Sequence, residues 1–188
     1  MSSERPRQGR RPRLGIVIAV AVVVGIVVWL LVRGGGAGHS SASKPQPQSV
    51  PAAVTGAALK AYARTLTHPF YWAGPSNVDT YELTRTRDGS AYLRYLPPGV
   101  AVGDSRAIFL TVGTYPRSNP FQTVAQTAAK PGVTKVRLPG GGVAVADPAA
   151  PKSVYLSYPA SAVLVEVFTP HPTRTLALVR TGRIIPIR

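Results

Sequence analysis

The chain has 188 residues, with 22 Lys and Arg against 7 Asp and Glu, 19 Pro, 18 Gly, three His and no Cys. This length holds one ordinary domain with extras. The lack of cysteine excludes a disulfide scaffold, a thiolate zinc site, an iron–sulfur cluster, a Cys nucleophile and a lipid-bearing Cys anchor. Apolar residues make up 45 %, too many for a chain disordered throughout.

Leu14 opens and Val32 closes a run of 19 residues, LGIVIAVAVVVGIVVWLLV, without a charge or a proline. As a helix this run is about 28 Å long, close to the hydrocarbon thickness of a bilayer. In hydrocarbon a lone segment satisfies its backbone only as a helix. Arg5, Arg7, Arg10, Arg11 and Arg13 precede the run, opposed by Glu4 alone. That excess holds residues 1–13 in the cytoplasm as a basic tail and sends the C-terminal part across. Trp29 and the flanking Arg13 and Arg33 stand where interface residues belong. A cleaved signal peptide has the same basic start, but its apolar stretch is shorter, about 7–15 residues. Residues 14–32 are therefore read as an uncleaved single-pass signal anchor in the cell membrane.

Residues 33–50, rich in Gly, Ser, Pro and Gln, read as a flexible linker. Residues 51–188 read as one extracytoplasmic α+β domain, a small mixed or antiparallel sheet with helices on one face. Pro51 suits a first helical turn, and Val54, Ala58, Ala61 and Tyr62 recur at helical spacing, so a helix is predicted over 51–66. His68-Pro69-Phe70-Tyr71-Trp72 follows, and its aromatics read as core or as a plug at one end of it. Strands are predicted at 81–87 and 90–96, joined by Asp88-Gly89 as a two-residue turn. A strand at 107–115 and a helix capped by Ser118, with Pro120 in its first turn, come next. Strands at 133–138, 143–147, 153–158 and 163–169, a helix over 172–181 stopped by Gly182, and a strand at 183–187 complete the order.

Three strands, a helix and a strand thus occur twice, which suggests a duplicated βββαβ unit. AYLRYLP at 91–97 echoes VYLSYPA at 154–160. A competing echo, LPPGVAVGD at 96–104 with LPGGGVAVAD at 138–147, falls at a different offset. The motifs HPFYWAGP, YELTRTRDGSAYLRYLPPG and FLTVGTYP resemble an uncharacterised family of single-pass, membrane-anchored extracytoplasmic proteins of high-GC bacteria. The resemblance implies an envelope protein with an outward domain. It brings no catalytic residue and no known activity.

Chemistry is sparse. Beyond the apolar run the acids are Asp79, Glu82, Asp88, Asp104, Asp147 and Glu166. Asp104 and Asp147 each end an apolar stretch and are expected to cap loop N–H groups. Glu166, within VLVEVF, is expected to be solvated or paired with Arg rather than to act as a general acid or base. His68 and His171 have no ligand spacing to each other or to a carboxylate. No nucleophile elbow is present, and Gly140-Gly141-Gly142 lacks a phosphate-loop lysine and reads as a hairpin turn. No catalytic residue, metal site or cofactor is predicted.

Charge is more informative. Residues 34–188 carry 11 Arg and 5 Lys against six acids, a net excess of about ten. The predicted two-residue turn sets Arg85 opposite Tyr92 and Leu83 opposite Arg94. Tyr81, Leu83, Arg85, Arg87, Tyr92 and Arg94 then share one face. With Tyr155 on a later strand, Arg85, Arg87, Tyr92 and Arg94 form a candidate anion site, in which Arg forks and Tyr rings would hold a polymer. The sheet is expected to have an aliphatic face under the helices and a more open face of Arg, Tyr, Phe and Thr. The function expected is a non-catalytic, membrane-anchored extracytoplasmic binding module. Its expected partner is an anionic envelope polymer, lipid headgroups or an acidic protein, and nucleic acid is not expected for an outward domain. An envelope hydrolase or transferase assembled only in the fold, and a structural subunit of a membrane complex, are the alternatives.

Overall fold

The computed structural model describes residues 50–77 and 80–187. The predicted membrane segment, the linker up to residue 49, and Arg13, Trp29 and Arg33 lie outside the described residues. Among those described, no helix is long and apolar enough to cross a membrane.

The elements are β1 (Ala52–Val54), α1 (Gly56–Ala63), β2 (Tyr71–Trp72), β3 (Thr80–Arg85), β4 (Ala91–Leu96), β5 (Thr111–Pro116), α2 (Pro120–Thr127), β6 (Thr134–Arg137), β7 (Val143–Ala146), β8 (Ser153–Ser157), β9 (Val163–Phe168), α3 (Pro172–Arg180) and β10 (Ile185–Pro186). Eight strands form one antiparallel sheet in the order β1-β3-β4-β5-β9-β8-β7-β6, and β10 pairs with β2 beside it. Mixed α+β architecture is thus as expected.

The helix predicted over 51–66 is shorter. Thr55 Oγ1 accepts from the Ala58 N–H at 3.2 Å and starts α1 at Gly56. Ala52–Val54 instead satisfy their backbone on the edge of β3. Apolar spacing alone does not distinguish three edge-strand residues from an extra helical turn. Likewise Ser118 is not the cap of α2. Asn119, with φ of +52°, holds that place without a side-chain cap bond, and Pro120 begins the helix. Residues 107–110 belong to the loop before β5 rather than to the strand itself.

The β3–β4 hairpin differs by one residue from prediction, and this rearranges everything built on it. Thr86 pairs with Ser90, its N–H donating to the Ser90 carbonyl at 2.9 Å, so the loop is the three residues Arg87-Asp88-Gly89. Of these Gly89 alone has positive φ, +81°. A turn ended by one left-handed glycine is the usual three-residue solution. The Asp88 carboxylate selects it by accepting from both Thr86 Oγ1 and the Ser90 hydroxyl and N–H. Those bonds, with the Arg117 charge, outweigh burial and hold the Asp88 carboxyl below its usual range. The cross-strand pairs are therefore Tyr81–Tyr95, Leu83–Leu93 and Arg85–Ala91 on one face, and Glu82–Arg94 and Thr84–Tyr92 on the other.

The strand order is symmetric about the central β5–β9 pair. Meanders β3-β4-β5 and β7-β8-β9 stand on either side, and the AYLRYLP/VYLSYPA echo falls on the corresponding strands β4 and β8. The predicted phase of the repeat is corrected by the edges. Strand β6 joins β7 and matches β1 on β3, whereas β10 leaves the sheet. The competing echo joins unlike structures, a loop after β4 and a turn entering β7.

The helices do not lie on one face. Leu59 of α1 and Val179 of α3 belong to a core with Leu83, Leu93, Val112, Leu156 and Val165. Val124 of α2 belongs to a second core with Tyr92, Tyr115, Val145, Tyr155 and Leu164. Residues alternate between these two cores along each strand, so α2 covers the face opposite α1 and α3. The expected aliphatic face is present beneath α1 and α3. Phe70, Tyr71 and Trp72 are buried in that same core, as expected.

Gly89→Ala should cost about 1–2 kcal/mol, because a Cβ at this φ meets its own carbonyl and lies 3.4 Å from the Pro116 ring. Equilibrium urea unfolding checks this, and an unchanged midpoint would contradict the turn described.

Candidate functional site

The predicted anion site is not assembled. Arg85 points to the face of α1, where its guanidinium lies 5.4 Å from the Tyr62 ring centroid. Arg87 is exposed in the hairpin loop. Tyr92, Arg94 and Tyr155 lie on the opposite face. The one-residue shift of register is the physical reason: it changes which residues of β3 share a face with those of β4. Tyr92 and Tyr155 are buried beneath the α2 layer rather than presented to a ligand.

Two carboxylates organise that face. Glu82, 1 % exposed, accepts from Arg94 Nη1 at 2.7 Å and from the Gly103 N–H at 2.6 Å. Arg94 also donates to the Arg106 carbonyl at 3.1 Å and lies 4.9 Å from the Phe109 ring centroid. The pair therefore pins the long β4–β5 loop across one half of the sheet, as α2 covers the other half. A charged pair sealed this way is strongly coupled to its partners, since either one alone would be stranded.

Glu166 is 2 % exposed, neither solvated nor paired with Arg, which corrects the sequence-based expectation. Tyr115 donates to its Oε2 at 2.6 Å, and Ser153 and Tyr155 donate to its Oε1 at 2.7 and 3.0 Å. The strands dictate this set. Glu166 pairs with Gly113 on β5 and with Tyr155 on β8. Ser153 lies two residues from Tyr155 on the same face. Tyr115 folds back along its own strand over Gly113, where a Cβ would stand 2.6 Å from the ring Cζ. Gly113 is the vacancy that lets the Tyr115 hydroxyl reach Glu166. An isolated glycine inside a strand is the sequence signal that could have located this site.

Burial raises the Glu166 carboxyl above its ordinary range, and the three hydroxyl bonds oppose that shift without cancelling it. Burial and the neighbouring Glu166 charge raise Tyr115 and Tyr155. Tyr92 is pushed up to about 12, first by burial and then by the charges of Asp88 and Glu166. Tyr92 meets Tyr115 edge to face with centroids 5.4 Å apart, and the Arg117 guanidinium lies 5.7 Å from the Tyr115 centroid. Arg117 reaches Asp88 at only 3.7 Å, and its Nε is buried with no acceptor among the described residues.

The other candidates stay apart. Asp104 accepts from the Arg106 N–H and pairs with its side chain at 2.7 Å, which holds it down to about 2. Asp147 accepts from the Ala149 N–H at 2.8 Å. Both therefore cap loop N–H groups, as expected. His68 Nδ1 lies 3.2 Å from the neighbouring Pro69 carbonyl oxygen, and His171 is exposed ahead of α3. Gly140–Gly142 falls in the hairpin connection from β6 to β7, as expected. Among the described residues no three of His, Asp and Glu gather closely enough for a metal ion. No family model, curated protein or solved structure matches the chain.

The arrangement holds the Glu82 and Glu166 carboxylates rigidly and covers both. A group whose folded pKa is raised stabilises fully below its unfolded value, about 4.3 for Glu, and that contribution is lost as pH rises through the folded value. Stability measured by urea unfolding at acidic and neutral pH should therefore fall further with rising pH in the native chain than in Glu166→Gln. Equal pH dependence in both would show that Glu166 is not held as described. Gly113→Ala should destabilise by about 1–3 kcal/mol through overpacking against the Tyr115 ring. Combining it with Tyr115→Leu should recover part of that loss in the same assay.

Proposed function

We propose that this chain is a single-pass membrane protein whose outward α+β domain is a non-catalytic binding module for an anionic partner. The supporting observation is how the acids are used. Each of the five described acids is committed internally: Glu82, Asp88 and Asp104 to arginines, Asp147 to a loop N–H, and Glu166 to hydroxyls. Eleven of the fourteen described Lys and Arg side chains have no carboxylate within ion-pair distance among the described residues. Cations left free in this number draw anions over roughly a Debye length. The sequence of residues 14–32 and the basic tail before it support the anchor and its orientation.

An envelope hydrolase or transferase would need at least two of His68, Asp104, Asp147, Glu166 and His171 to converge. No hydrogen bond joins any two of them, and Glu166 is covered. The binding reading is therefore preferred.

Two measurements test the proposal. An epitope after Arg188 should be lost when intact cells are treated with protease, from a band at full length before treatment. A protected epitope would invert the topology. Full-length protein in neutral detergent should be retained on immobilised dextran sulfate at low salt and released as salt rises. Absence of salt-sensitive retention would count against an anionic partner.

A further inference from the structure

Three of the cations without an ion pair stand together at the hairpin end of the sheet. Strand β3 ends at Arg85, and the hairpin beyond it exposes Arg87. Arg117 follows the end of β5 and reaches the same hairpin at Asp88. Arg64 caps the C-terminus of α1 two residues after Tyr62, whose ring lies beneath Arg85. Four arginines thus surround one end of the sheet with Asp88 as the one acid among them. Arg64, Arg85 and Arg87 are exposed and have no carboxylate within ion-pair distance among the described residues. At the opposite end Arg94 and Arg106 are each paired at 2.7 Å with Glu82 and Asp104, while Lys152 and Arg174 are exposed with no carboxylate within ion-pair distance among the described residues.

The chain enters the domain at the arginine end. Ala52 pairs with Leu83 and Val54 with Tyr81 in antiparallel register, so the residues before Ala52 arrive from the Arg85 side. Seventeen residues separate Val32, the end of the apolar run, from Val50. Fully extended they reach no more than about 60 Å. If residues 14–32 span the bilayer, the chain that leads back to it thus joins the domain at the end bearing the arginines. Arginine also pairs well with phosphate, through a planar fork of donors.

We propose that the sheet end bearing Arg64, Arg85, Arg87 and Arg117 rests on the anionic lipid surface of the membrane that residues 14–32 anchor. This rests on the anchor reading and narrows its anionic partner to lipid phosphate. Each arginine near such a surface contributes about fivefold in association.

The absence of cysteine makes the test direct. Ser118→Cys, beside Arg117, and Ser105→Cys, in the loop at the other end, are both exposed positions for a dye. Labelled full-length protein is reconstituted in nanodiscs of phosphatidylcholine with or without phosphatidylglycerol, carrying a headgroup quencher. The expected result is strong quenching of the Ser118 label only with phosphatidylglycerol, weak quenching of the Ser105 label, and loss of the difference at high salt. Arg64→Ala with Arg87→Ala should reduce the lipid-dependent quenching several-fold while the circular dichroism spectrum stays native. Equal quenching at both positions, or quenching indifferent to lipid charge, overturns the docking. Failure to co-purify with discs overturns the anchor. In that case added phosphatidylglycerol vesicles decide the docking separately, a selective Ser118 response upholding it and none overturning it.

Discussion

A carboxylate placed in the middle strand of an eight-stranded sheet must find donors or remain protonated. Glu166 stands on β9, between β5 and β8, and the surrounding residues are arranged around it. Gly113 opposite it has no side chain, so the Tyr115 ring can lie in the space. Tyr155 and Ser153 complete the donor set from β8. Three neutral hydroxyls let a buried acid keep its bonds without importing a buried cation, whose desolvation would add its own cost. The packing of α2 then closes over Tyr92, Tyr115 and Tyr155. The strand order is symmetric about this centre, but its surroundings are not, since α3 packs on the other face.

The second buried acid works differently. Glu82 sits toward an edge and takes a charged partner, Arg94, which also carries the β4–β5 loop through the Arg106 carbonyl and the Phe109 ring. One acid thus joins the two halves of the sheet at its centre and the other fastens a long loop to its flank. Both are structural uses of charge. Together with the capping roles of Asp88, Asp104 and Asp147, they account for the described acids. The described charged side chains left without an ion pair are Lys and Arg, apart from acids held by backbone or hydroxyl donors, and the proposed binding function rests on that imbalance.

Much of the fold was legible in the chain. The places of β4, β7, β8, β9, α2 and α3 agree with apolar periodicity, turn glycines and prolines to within a few residues. The buried role of Phe70-Tyr71-Trp72 and the loop roles of Asp104 and Asp147 followed from residue chemistry. The hairpin register did not. Asp-Gly suits a two-residue turn and a three-residue turn alike, and the choice was made by Thr86 and Ser90 bonding to Asp88. That single residue of slip dissolved the grouping of Arg85, Arg87, Tyr92 and Arg94.

The sequence by itself determined where the apolar run and the charge lie, that cysteine chemistry is absent, and which segments alternate as strands or recur as helices. These are properties of local order along the chain. Only the tertiary structure decided that α2 crosses to the opposite face, that Glu166 is met by hydroxyls from two other strands, and that Arg64, Arg85 and Arg87 stand at the end where the chain enters the domain. Each of these depends on pairing between residues distant in sequence. Local periodicity gives a strand its two faces but does not say which neighbour it will meet or what will cover it.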